Sequence, residues 1–129
     1  MANGYILSKG AIQTFIKEVA GIIEDSKSIL TILPREDKTE QYTTVYCLQQ
    51  LEFAQKDIKD IIKALKVSDY VETCDDERNS KSNALYIFAI DIKNKQVYIK
   101  LKIQSYDEKI ILCMSFHFVE FQINKFPYK

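Results

Sequence analysis

One histidine, His117, lies in the run LCMSFHF, two residues after Ser115. Imidazole is the side chain whose ordinary titration falls near neutrality, so it can give or take a proton there. Upstream, the run QVYIKLKI carries Tyr98, Lys100 and Lys102 at alternate positions. Alternate residues of a strand share a face. If the two runs pair, that face gathers a phenol, two ammonium groups, a hydroxyl and an imidazole. Those groups suit general acid–base chemistry beside a bound anion, with fixed cations to offset its charge. Lys100 and Lys102 are the candidate cations, His117 the base or acid, and Tyr98 a stacking platform or proton donor. Each also has a plain structural counterpart: solvated lysines, a packing tyrosine, a hydrogen-bonded strand histidine.

Other chemistries fit less well. On one strand Ser115 and His117 would stand ~7 Å apart, too far for a nucleophile and its base. No GxSxG turn is present. A Gly-rich phosphate loop is excluded by composition, since Gly4, Gly10 and Gly21 are the only glycines. Cys47, Cys74 and Cys113 are odd in number and contain no CxxC pair, which speaks against a disulfide framework and a zinc knuckle. Cys47 and Cys113 sit in apolar patterns, where cysteine behaves as a small core residue. No cofactor or metal is expected.

The elements that must position these residues are readable in outline. Ile12, Phe15, Ile16, Val19, Ile22 and Ile23 recur at helical spacing, with Ser8 as N-cap and Asp25-Ser26 as the end. Ser28–Leu33, stopped by Pro34, reads as an edge strand. Tyr42, Val45, Tyr46 and Leu48 mark one short helix. Ile58, Ile61, Ile62 and Leu65 mark another, with Asp57 in its first turn and Val67–Tyr70 closing it. Residues 72–83 are the most polar segment and read as an exposed loop. Ala84–Ile90, Gln96–Ile103 and Lys109–Glu120 then read as three strands joined by hairpin-length turns, hence antiparallel. The expected fold is α+β: N-terminal helices on one face of a C-terminal antiparallel β-meander.

In this reading Val97, Ile99 and Leu101, with Leu112, Met114 and Phe116, face the helices. Tyr98, Lys100, Lys102, Ser115 and His117 share the opposite, open face, an assignment that a β-bulge would break. Tyr128 and Lys129, as substrate-binding candidates, either close over the sheet or fray.

At 129 residues, 47% hydrophobic and 28% charged, the chain has the size and composition of one globular domain spanning 1–129. No run approaches the ~20 apolar residues of a membrane span. The start, MANGYILSKG, lacks the pattern of a secretory signal. A cytoplasmic protein with no membrane partner is expected. The net charge of zero hides an asymmetry. Residues 1–80 hold ten basic and fourteen acidic side chains, while residues 81–129 hold eight lysines and four acids. A basic β-rich half can draw a polyanion in a salt-sensitive way. A partner protein would meet the acidic helical half or the edge strand near Ile29–Leu33.

The sequence DIIKALKVSDY, a polar loop, QVYIKLKI, LCMSFH and the closing FPYK, in that order, resemble the MqsR-type (motility quorum-sensing regulator) toxins. These belong to type II toxin–antitoxin pairs and to the RelE-like endoribonucleases. The likeness runs from about Arg35 to Lys129. It departs after Asp69-Tyr70, where the family commonly has Gly-Pro, and in its scarcity of arginine. The resemblance implies a RelE-like α+β domain that cuts mRNA without a metal and is restrained by a cognate antitoxin, often a helix-turn-helix repressor. A non-catalytic protein-binding module on the same fold is the alternative.

Overall fold

The computed structural model describes residues 4–24, 29–32, 40–75, 84–105 and 109–129. Helix α1 (Lys9–Glu24) begins where expected, with Ser8 Oγ accepting from the Ala11 N–H at 3.2 Å. It buries Ile12, Phe15 and Val19, the i, i+3, i+7 stripe. Strand β1 is Ile29–Ile32. The expected stops at Asp25-Ser26 and Pro34 lie outside the described residues. Helix α2 (Thr44–Leu51) is capped by Thr43 Oγ1, which accepts from the Tyr46 N–H. It stops at Glu52, whose φ of 57° is left-handed. That conformation ends the helix and turns the chain towards α3 (Gln55–Lys63). Asp57 holds the start of α3 by accepting from the Ala54 N–H at 2.8 Å.

Strands β2 (Tyr70–Cys74), β3 (Leu85–Ile92), β4 (Lys95–Ser105) and β5 (Lys109–Phe118) form an antiparallel meander. The full order is β1-β5-β4-β3-β2, with β1 added parallel to β5 at the edge. Helix α1 packs on β5 and against α3, and α2 packs on β5. Between helices and sheet lies the core, including Ile12, Phe15, Val19, Cys47, Ile58, Ile62, Phe88, Ile99 and Phe116. Phe15 stacks on Tyr86, ring centroids 3.6 Å apart. The expected α+β arrangement, helices before a meander, is the observed one. Among the described residues, no helix is long and apolar enough to cross a membrane.

Expectations for β2 and for β5 both need correction, and each strand carries a β-bulge. Val67–Tyr70 does not close α3; Val67–Asp69 is a separate 3-10 turn, and Tyr70 opens β2. The sequence marks the segment from Glu72 as an exposed loop, yet Thr73 is fully buried and paired with Tyr86. An extra residue, Val71, separates the pairs Tyr70↔Phe88 and Glu72↔Ile87, so Tyr70 and Thr73 are both buried despite odd spacing. Residues 76–83 of that segment lie outside the described residues.

On β5 the extra residue is Met114. The pairs Ile99↔Phe116 and Lys100↔Ser115 give way to Leu101↔Cys113 and Lys102↔Leu112. Cys113 and Ile111 therefore join Phe116 and Phe118 in the core, while Leu112 turns to the other face with Lys102.

Candidate functional site

The site is built on β4 and β5. The β3–β4 turn is the two-residue Lys93–Asn94, with φ of 51° and 68°. This left-handed geometry matches strand twist in tight hairpins. It fixes a register in which Tyr98 lies opposite Ala89 and Lys100 opposite Ile87. On the other side Tyr98 pairs with His117 and Lys100 with Ser115. All these residues project away from the helices, because the Met114 bulge begins only beyond Ser115.

The structure therefore brings Tyr98, Lys100, Ser115 and His117 together. The Tyr98 and His117 rings stack at 5.1 Å between centroids, tilted by 16°. Lys100 Nζ lies 5.8 Å from the Tyr98 ring centre. That is within reach of a cation–π attraction. His117 Nδ1 is 3.0 Å from the Phe118 carbonyl oxygen. A carbonyl only accepts, so Nδ1 is the donor in this contact.

The face is less open than its polarity suggests. His117, Ser115 and Lys102 are 6%, 2% and 3% exposed. Tyr98 and Lys100 are half-buried and form the solvent-facing part of the cluster. Lys102, although on the same face, is sealed and does not present its ammonium to solvent; Ser115 is sealed likewise. No buried side-chain nitrogen or oxygen among the described residues lacks a hydrogen-bond partner, so burial here rests on satisfied polar groups.

The C-terminal segment closes one end of this face. Gln96, in phase with Tyr98 on β4, holds the Ile123 backbone at both ends. Its Nε2 donates to the Ile123 carbonyl at 3.0 Å, and its Oε1 accepts from the Ile123 N–H at 2.7 Å. The chain then continues to Tyr128, which stacks on Tyr70 at 6.1 Å and donates to the Leu7 carbonyl. Tyr70's hydroxyl lies 2.6 Å from Thr73 Oγ1 and accepts from the Leu7 N–H. Tyr5 bridges to Thr73 through two 2.8 Å backbone bonds. Tyr128 is thus part of a clasp tying both terminal segments to β2. It does not join the His117 cluster. Lys129 places its ammonium 5.0 Å from the Phe126 ring centre and lines a cleft with Asp69 and Asp91 that also takes in Ala89 and Gln96, the neighbours of Tyr98 on the far face.

Sequence reasoning missed Gln96 and the Tyr70–Thr73 clasp. Gln96 was legible as the next residue in the Tyr98–Lys100 phase. The clasp was hidden by the Val71 bulge. Among the described residues, no three His, Cys, Asp or Glu side chains come together as metal ligands. Comparison with protein-family models, with curated proteins and with solved structures returns no match.

Proposed function

We propose that the chain is an RNA-cleaving endoribonuclease that acts on mRNA in the cytoplasm as the toxin of a toxin–antitoxin pair. The observation that carries this reading is the Tyr98–Lys100–His117 cluster, in which a phenol, an ammonium group and an imidazole meet on the sheet face turned from the helices. In the reaction, His117 Nε2 takes the proton of the 2′-hydroxyl, whose oxygen attacks phosphorus. Lys100 offsets the charge that builds on the phosphate oxygens. The Tyr98 hydroxyl gives its proton to the 5′-oxygen as that bond breaks, leaving a 2′,3′-cyclic phosphate. The Phe118 carbonyl contributes by accepting from Nδ1 and so orienting the imidazole. The basic excess of residues 81–129 favours the approach of RNA. A cognate protein, a small helix-turn-helix repressor in the resembled family, would hold the enzyme inactive.

Purified protein incubated with mRNA in EDTA tests the assignment. Wild type should degrade the RNA, with Tyr98→Phe and His117→Asn each at least ~100-fold slower, the usual scale for losing a general acid or base. Equal background decay by all three proteins rejects it.

A second reading, a non-catalytic protein-binding module, is favoured by the burial of His117, Ser115 and Lys102. It expects intact RNA in the same assay, no growth arrest on expression, and tight association with a partner protein.

A further inference from the structure

The sheet end nearest the Lys93–Asn94 turn opens into a cleft of about 330 Å³, walled by Gln41, Tyr42, Tyr46, Asn94, Lys95 and Gln122. Carboxamides, phenols and an ammonium group make an unusual set. A carboxamide presents a donor and an acceptor side by side, the pattern found along the edges of nucleobases. Tyrosine rings offer faces for an unstacked base. Among the described lining residues there is no carboxylate to repel a phosphate.

Position strengthens the argument. The Val119 N–H bonds to the Gln96 carbonyl at 3.1 Å. Both residues line the cleft, and they form the next pair along the face after Tyr98 and His117. Along a strand that step is ~7 Å. Phe118, Lys95 and Tyr46 lie on the helix side of the sheet, so a strand of RNA crossing Tyr98 and Lys100 rounds the sheet end to bring a neighbouring nucleotide into the cleft. The walls are also set in advance. Lys95 Nζ lies 4.9 Å from the Phe118 ring centre, and the grip of Gln96 on Ile123 fixes the segment that carries Gln122. Such preorganisation lowers the ordering cost of binding.

We propose that this cleft is a subsite for one nucleotide of single-stranded RNA. Gln41, Asn94 and Gln122 read the base edge, Tyr42 or Tyr46 stacks on its face, and Lys95 meets its phosphate. The proposal rests on the RNA-cleavage reading and adds to it a place where base preference is set.

The test titrates the full chain with the four nucleoside 5′-monophosphates, following amide and aromatic NMR shifts, and runs the cleavage assay alongside. Gln41, Lys95 and Gln122 are exposed, so their removal spares the fold. One base should bind best, with shifts centred on Tyr42, Tyr46 and Gln122 and none at Tyr128. Gln41→Ala and Gln122→Ala should each weaken it about tenfold, the scale of a lost base-edge contact. Lys95→Ala should weaken monophosphates but not nucleosides. Nucleotide binding in the cleft with RNA left intact supports the subsite and removes the cleavage assignment. Unchanged cleavage rate and sequence preference in the Gln41→Ala/Gln122→Ala double variant overturns the subsite and leaves cleavage standing. Absence of any cleft shift with all four nucleotides also overturns it.

Discussion

The two faces of the sheet are both largely closed to water, yet they hold different chemistry. Towards the helices, Val97, Ile99, Leu101, Phe116 and Phe118 pack with Ile12, Ile58 and Ile62, and the contacts are apolar. On the far side β3 contributes Leu85, Ile87 and Ala89, but β4 and β5 contribute Lys102, Ser115 and His117, all buried. Apolar burial needs only suitable shape. A buried ammonium or imidazole costs several kcal/mol unless its hydrogen bonds are met, so polar burial demands defined geometry. The helix face therefore carries most of the stability, and the far face is where defined geometry can serve chemistry.

Thiol reactivity breaks or sharpens this contrast most strongly. Cys47 and Cys113 lie in the helix-side core, and burial pushes both thiols up from 9 to about 12. The thiolate population at neutral pH falls about a thousandfold, and labelling at pH 8 should slow at least that much relative to the unfolded chain. Cys74 pairs with Leu85 on the far side, is only half-buried, and should label first. The same shifts carry a sign for stability. The folded state keeps these protons longer than the unfolded chain, so their contribution is complete below about pH 9 and is lost as pH rises towards 12. Equal labelling of all three cysteines in the native protein would erase the distinction between the faces.

The second effect is energetic. Phe116 is fully buried on the helix side. Phe116→Ala should cost about 4 kcal/mol in urea unfolding. Any activity lost should follow the folded fraction. A cost under about 1 kcal/mol would mean that the helix face does not dominate the core.

How much of this was legible in the sequence depended on period. Where residues keep strict spacing, as in α1 with Ile12, Phe15 and Val19 or β4 with Val97, Ile99 and Leu101, the pattern predicted both the element and its buried side. Where one extra residue intrudes, the pattern misled. Val71 disguised β2 as a loop, and Met114 reversed the facing assigned to Leu112 and Cys113. The shared face expected for Tyr98 and His117 survived because both lie on the Lys93–Asn94 side of the Met114 bulge. Burial of Lys102 and the course of the C-terminal segment were not readable. Both depend on contacts between residues far apart in the chain, such as Gln96 with Ile123, which local spacing does not encode.

The Met114 bulge gives the third prediction. Removing Met114 would leave Phe118, Phe116, Cys113 and Ile111 in regular alternation, still towards the helices, with His117, Ser115 and Leu112 opposite. The deletion should therefore fold, losing about 2 kcal/mol for the burial of one methionine side chain. Circular dichroism and urea unfolding would show it. Collapse of the fold would mean that the bulge sets more than the facing of β5.

The smallest effect on stability should come from the far face itself. Lys100 is half-buried beside Tyr98, on the solvent side of the cluster. Lys100→Ala should change unfolding free energy by less than about 0.5 kcal/mol, as for other surface substitutions. Under the proposed function its effect on RNA cleavage should be far larger, roughly 100-fold in kcat, because a fixed cation acts most strongly where charge builds in the transition state. Lys100→Arg, which keeps the charge, should recover part of that loss. Measuring both quantities on the same preparations separates the roles of the faces. A variant that unfolds easily but cleaves normally when folded would place Lys100 with the scaffold. A stable variant that cleaves slowly would place it with the chemistry.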